Sequence, residues 1–228
     1  MAKVKLSAIV SDMRNKLNGS VFARNRGGLY LRTKVTPVNP QTVAQQAARN
    51  NLTSFSQGWR SLTEAQRDSW NAAVGNFATT DIFGDLRNPS GINLYNRLNI
   101  NITNGGGAPI TTPPVPTGAP AVDSVVLAAN ATGGTYTVTF TPDPIPADTA
   151  MIVESTAALS PGISNASAEY RIVATFAAGT TGAQDIAAAQ IAKFGALIAG
   201  QKYFVRVKQV NLLTGEVSQT LISESIAV

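Results

Sequence analysis

Five cations, Lys16, Arg24, Arg26, Arg32 and Lys34, fall in a stretch that holds no carboxylate. Side chains of that kind can do two sorts of chemistry. Guanidinium forks grip the carboxylates of an acidic protein surface through paired, charge-assisted hydrogen bonds. Alternatively, they neutralise nucleic-acid phosphates and release the counterions held there. The bland alternative is a cationic face that is merely solvated. Binding to nucleic acid is the weaker of the two functional readings, because stacking on bases needs spare aromatics. Phe22 and Tyr30 are wanted for packing, and neither a helix-turn-helix nor a zinc module is present in the sequence. The expected docking set is therefore Lys16, Arg24, Arg26, Tyr30, Arg32 and Lys34, with Asn39 and Pro40 in the elbow that follows.

Other candidates carry less. The chain has no cysteine and no histidine. Thiolate and imidazole metal sites are thus excluded, as are Ser/His/Asp and Cys/His catalysis. Asp81 and Asp85 flank Gly84 and could act as an acid–base pair, but the loop has too few acids for a calcium cage and Arg87 stands ready to pair with either. A structural turn is expected. Trp59 and Trp70 could stack on sugars, although tryptophans at helix ends more often lock helices together. The triplet Gly105-Gly106-Gly107 lacks the Lys-Ser/Thr of a phosphate loop. No catalytic constellation emerges, so a non-enzyme with no cofactor and no metal is expected.

The elements that must position these residues divide at residues 104–120, "NGGGAPITTPPVPTGAP", which predicts a semi-rigid linker between a domain at 1–103 and another at 121–228. Charge divides there too. Residues 1–111 hold 13 Lys+Arg against 5 Asp+Glu, and residues 112–228 hold 5 against 8, giving +8 and −3 and the total of +5. One end is thereby suited to an acidic partner. No run of eighteen apolar residues suggests a membrane helix, and the N-terminus does not read as a secretory signal.

In the first domain, 19–36 predicts a β-hairpin around Gly27-Gly28. Asn39-Pro40 predicts a helix start, with Val43, Ala44, Ala47, Ala48, Leu52 and Phe55 as its apolar face. A break is expected over Gly58–Ser61, then a second helix from Thr63 with Gln66 completing a capping box. A short helix at 91–100 would bury Ile92, Tyr95 and Leu98 and expose its asparagines. In the second domain, six β-branched or alternating runs predict an antiparallel sandwich, interrupted by an alanine-rich helical turn in "DIAAAQIAKFGALIAG". The fold class expected is an α+β N-terminal domain, hairpin plus helices, followed by an all-β antiparallel sandwich.

Two stretches resemble known families. "LIAGQKYFVRVKQV" resembles the end of a fibronectin type III or immunoglobulin-like module, in which Leu197, Gly200 and Tyr203 match the Leu-x-x-Gly-x-x-Tyr pattern. That resemblance implies a tyrosine whose hydroxyl reaches back to the backbone just upstream. The tryptophan of an early strand is missing, so Val138 or Phe140 is expected in its place. The block from Gly19 to Trp70 resembles a pattern recurrent in tailed-bacteriophage structural proteins of unassigned role. It has a G-x-V-x-x-R-N-R-x-G hairpin, an R-x-x-x-x-P-x-N-P-x-T elbow and L-T-x-x-Q-R-x-x-W. What this implies is a virion protein, made in the host cytoplasm and present in many copies, whose partners are capsid or tail subunits. A capsid decoration protein is the first expectation. A tail or head–tail joining component, or a nucleic-acid-binding packaging factor, is the alternative.

Overall fold

The computed structural model of the chain describes residues 2–5, 10, 12–166 and 169–228. It begins with a four-stranded antiparallel sheet of β1 (Ala2–Lys3), β2 (Asn15–Leu17), β3 (Ser20–Asn25) and β4 (Gly28–Thr33), in the order β1-β4-β3-β2. Two tight turns make it. Leu17 pairs with Ser20 across Asn18-Gly19, where Asn18 has φ +51°. Asn25 pairs with Gly28 across Arg26-Gly27, where Gly28 has φ +99°. Asn18 supplies the positive φ that a two-residue hairpin turn demands at its first central position, whereas Gly28 takes its positive φ where the chain leaves the Arg26-Gly27 turn, and Asn and Gly adopt it at low cost.

Three helices follow: α1 (Val43–Ser61), α2 (Glu64–Ala73) and, beyond a 3₁₀ turn at Val74–Phe77 and the two-residue strands β5 (Thr79–Thr80) and β6 (Leu86–Arg87), α3 (Gly91–Asn104). Thr63 and Gln66 form the full capping box of α2. Helix α1 differs from expectation at both ends. Its N-cap is Thr42, which accepts the Gln45 N–H, while the Asn39 side chain instead accepts a hydrogen bond from Arg49 at 2.7 Å. The helix also runs unbroken through Gly58. A Cβ there would lie 3.0 Å from the Tyr95 hydroxyl, so this glycine serves the close approach of α3 and not a helix break.

Tyr95 is the centre of the helical core. Trp70 meets it edge-on at 5.4 Å, Phe55 at 6.5 Å, and Trp59 lies tilted at 5.6 Å. Trp70 is fully buried and donates its indole N–H to the Thr111 carbonyl at 2.9 Å. The buried face of α3 holds Tyr95 and Leu98 as expected but differs at Ile92 and at two asparagines. Ile92 is only half-buried, while Asn96 and Asn99 are buried beside Leu94, Tyr95, Leu98 and Ile102. Asn99 earns its place through hydrogen bonds: its amide donates to the Tyr95 and Ile110 carbonyls, and its oxygen accepts the Ile110 N–H at 2.7 Å. Those bonds also fasten residues 110–111 to the helices. The semi-rigid linker expected over 104–120 is packed against its neighbours. Gly105 and Gly107 lie against Leu212, and Glu216 accepts the N–H groups of Thr117 and Gly118 at 2.9 and 2.7 Å. Glycine and proline exclude helix and central strand from this stretch, but they do not stop it packing as irregular chain.

The remaining strands are β7 (Ser124–Asn130), β8 (Thr135–Thr141), β9 (Thr149–Ser155), β10 (Arg171–Phe176), β11 (Gln184–Asp185), β12 (Lys202–Asn211) and β13 (Leu221–Ile226), with α4 (Ala187–Phe194) between β11 and β12. They form two antiparallel sheets, β10-β9-β12-β13 and β11-β8-β7. Alternate residues of both sheets, among them Leu127, Tyr136, Val138, Phe140, Met151, Val153, Val205 and Val207, share one apolar core, which makes this half a β-sandwich. Val138 and Phe140 are both in that core, but the large central ring is Tyr136, edge-on to Tyr203 at 5.7 Å with its hydroxyl 2.8 Å from Ser155 Oγ. At the corner before β12, Leu197 packs on this core, Gly200 has φ +74°, and the Tyr203 hydroxyl accepts the Ile198 N–H at 2.9 Å.

Candidate docking surface

The early cations separate into two groups. Lys3, Lys5 and Arg14 are engaged by acids. Lys3 and Arg87 both bind Asp81 Oδ2, at 2.9 and 3.0 Å; Lys5 pairs with Asp85 at 3.0 Å, and Arg14 with Asp12 at 2.7 Å. Asp81 is a hub. Its side chain is only 2% exposed, and its second oxygen accepts the backbone N–H groups of Phe83 and Asp85. The hydrogen bond from Lys3, then those from the backbone and Arg87, hold its carboxyl well below the usual range against the opposing pull of desolvation. This cluster pins β1 and the hairpin tip to the loop before α3, so Asp81 and Asp85 have a structural part.

The second group is Lys16, Arg24, Arg26, Arg32 and Lys34. All five are exposed, and among the described residues none has an acidic partner. Register decides where they lie. Lys16, Val21 and Arg32 stand opposite one another in one row across β2, β3 and β4, and Lys3, Tyr30 and Ala23 occupy the next row on that face. Arg24 is on the other face, opposite Leu29 and beside the Phe22–Leu31 pair. Arg26 is in the turn, on the rim of an 810 Å³ cleft that Arg87, Asn88, Ser90 and Asn93 also line. The sheet thus presents cations on both faces and at its tip, not on one ribbon. Val21, Phe22, Tyr30 and Leu31 are half-buried, and Leu29 alone among the hairpin's apolar residues is buried.

Asn39 and Pro40 sit in a longer exposed stretch. Every residue from 32 to 50 is exposed, covering the elbow and the first two turns of α1. Of the apolar face expected there only Phe55 is buried; Val43 is 84% and Leu52 50% exposed. The face exists in the sequence, but among the described residues it is covered only at Phe55. Trp59 and Trp70 lie in the helical core, and Leu197, Gly200 and Tyr203 at the sandwich corner, both groups away from the cationic sheet. Sequence reasoning missed the Asn18-Gly19 turn, which brings Lys16 into the sheet as part of β2. The Asn-Gly dipeptide was the signal.

Among the described residues, no group of three or more His, Cys, Asp or Glu side chains could hold a metal ion. No helix is long and apolar enough to cross a membrane among them. The arrangement offers a charged, half-apolar surface. No protein-family model matches the chain, and no curated protein is similar to it in sequence. Among solved structures, an Fn3-like protein from Clostridium thermocellum is similar at 13% identity and a TM-score of 0.31, over 49% of this chain and 96% of that one.

Proposed function

We propose that this chain is a bacteriophage virion structural protein, a capsid decoration or stabilising protein that docks through its basic sheet and displays a β-sandwich of fibronectin-III-like kind. The observation that carries the docking reading is the division of the cations. Three of the early ones have acidic partners, and the five singled out by sequence are exposed and, among the described residues, without one, beside half-buried Val21, Phe22, Tyr30 and Leu31. Unpaired charge steers and orients an acidic partner, while the apolar rows supply contact area. The virion setting rests on the resemblance of the Gly19–Trp70 block to the tailed-bacteriophage pattern. Nucleic acid fits less well, because Tyr30 and Phe22 stand on opposite faces of the sheet and offer no stacking row.

The test is to image purified particles at side-chain resolution and to locate and count this chain. Contact of β2–β4 with the shell, at a copy number tied to the lattice, supports decoration. Residence at the tail or neck transfers the same docking surface to a joining role. Absence from particles overturns the virion reading. A steep salt dependence of duplex binding that Arg24→Ala with Arg26→Ala flattens would establish the nucleic-acid alternative instead.

A further inference from the structure

The exposed arm, residues 32–50, leaves apolar surface in water: Val35 is 66%, Val38 85% and Val43 84% exposed. Among the described residues, the side-chain hydrogen bonds at the helix start are its own Thr42 cap and Arg49–Asn39, and so short a stretch gains little from isolated helix formation. Contact with another surface would supply what the monomer does not. The chemistry of that surface is constrained by charge. From residue 13 to residue 63 the chain has no acid and eight cations. Two arms therefore repel, and symmetric arm-to-arm pairing is disfavoured.

The complement lies in the same chain. Residues 112–228 are net −3. The outer face of β7-β8-β11 is a flat row of Ser124, Val126, Thr137, Thr139 and Thr141, since the alternate residues Leu127, Val138 and Phe140 point into the core. Val126 is 59% exposed at its centre. Asp123, Asp143 and Asp185 border this sheet, all exposed, and among the described residues none of them has a cationic partner. We propose that the arm of one copy seats on the outer face of the three-stranded sheet of a second copy, Val38 and Val43 against Val126 and the threonines, with Lys34 and Arg49 toward the bordering aspartates. The two patches are different, so the contact is heterologous and propagates copies into a ring or an open row. This rests on the docking reading above and divides its residues: Lys34, Asn39 and Pro40 go with the arm to a second copy, and Lys16, Arg24, Arg26 and Arg32 stay with the basic sheet.

The experiment is sedimentation velocity on the purified full chain at rising concentration, in low and in high salt. Two double variants are chosen at exposed positions whose side chains make no hydrogen bond. Lys34→Glu with Val43→Glu reverses the arm and places an acid where a helix N-terminus favours one. Asp123→Lys with Val126→Lys reverses the receiving face. The wild-type chain is expected to form oligomers that dissociate in high salt, each variant alone to run as a monomer with an unchanged circular dichroism spectrum, and an equimolar mixture to reassemble. A wild-type chain that stays monomeric throughout, or oligomers that persist in either variant, overturns the proposal. The receiving-face variant keeps its basic sheet intact, so its binding to particles reports on the docking function separately.

Discussion

Replacing Gly58 by alanine sets two effects against each other. In a helix interior the change is worth about 1 kcal/mol in favour of folding. Gly58 is helical, in the last turn of α1, but a Cβ would stand 3.0 Å from the Tyr95 hydroxyl, and the next atoms of that ring are 3.9 and 4.0 Å away. The ring cannot swing aside, because Trp59, Trp70 and Phe55 surround it. Overpacking of this kind costs about 1–3 kcal/mol, so Gly58→Ala is expected to lower stability by about 1 kcal/mol net. Tyr95→Phe removes the one close atom and leaves ordinary contacts. In that background Gly58→Ala should stabilise by about 1 kcal/mol, a coupling of about 2 kcal/mol between the two sites. Trp59 and Trp70 are the chain's two tryptophans and both lie in this core, so urea unfolding followed by tryptophan fluorescence reports on the helical unit. Equal stabilisation by Gly58→Ala in both backgrounds would refute the argument, since it would mean that Tyr95 does not press on α1.

Gln209 lies on the inward side of β12, fully buried, with both amide atoms lacking a partner, so Gln209→Met should raise the unfolding free energy of the sandwich by about 1–3 kcal/mol; a lower melting temperature would show that the amide is satisfied. Glu154 meets Arg206 and, at 2.9 Å, Lys208; burial pushes its carboxyl up, but the hydrogen bonds from Lys208 and Arg206 outweigh this and hold it below 4.5. A depressed folded-state pKa stabilises above the unfolded value and is lost as pH falls through the folded one. Stability should therefore decline below about pH 4.5, and Glu154→Gln should flatten that decline in acid titrations followed by circular dichroism. Gly215 has φ +74°, and a Cβ would lie 2.5 Å from the Leu98 carbonyl oxygen, backbone that cannot yield. Gly215→Ala should cost about 2–4 kcal/mol and loosen the contact between α3 and the β12–β13 turn, seen as faster proteolysis within 104–120; an unchanged cleavage rate would show that this contact does not hold the segment.

What could be read from the sequence follows from how each element is stabilised. β8 alternates apolar and polar residues because one of its faces meets the shared core, so period-two patterning gave it away, whereas β7 was legible as a short apolar run bounded by turn residues. The α2 capping box is local chemistry and was legible for that reason. On α3 Tyr95 and Leu98 were legible as buried, but Asn99 was not, because it is buried by three hydrogen bonds to backbone that lies eleven residues away or one turn back. Polarity says nothing of partners that only the fold brings close. Gly58 misled in the same way: its cause is a tyrosine hydroxyl 37 residues on, and the residue type alone suggested a break. The five free cations were legible as a group, but their distribution over two faces needed the register of β2–β4.

The packing of residues 104–120 bears on how docking would be read out. Asn101 donates to the Gly215 carbonyl at 2.9 Å, and Asn211 donates to the Gly118 carbonyl at 3.1 Å. Glu216 holds the Thr117 and Gly118 N–H groups. These bonds join the end of α3, the proline-rich stretch and the β12–β13 turn, and the Asp81 cluster joins the basic sheet to the loop that starts α3. Contact is therefore continuous from the hairpin tip to the sandwich. A flexible tether would let the sandwich sample many directions and would make self-association a matter of effective concentration alone. A bonded connection instead fixes the angle between the arm and the receiving face, and that angle decides whether successive copies close into a ring or run on as a row. The hydrogen bonds of Asn101, Asn211 and Glu216 are thus as relevant to the form of an assembly as the cations are to its affinity.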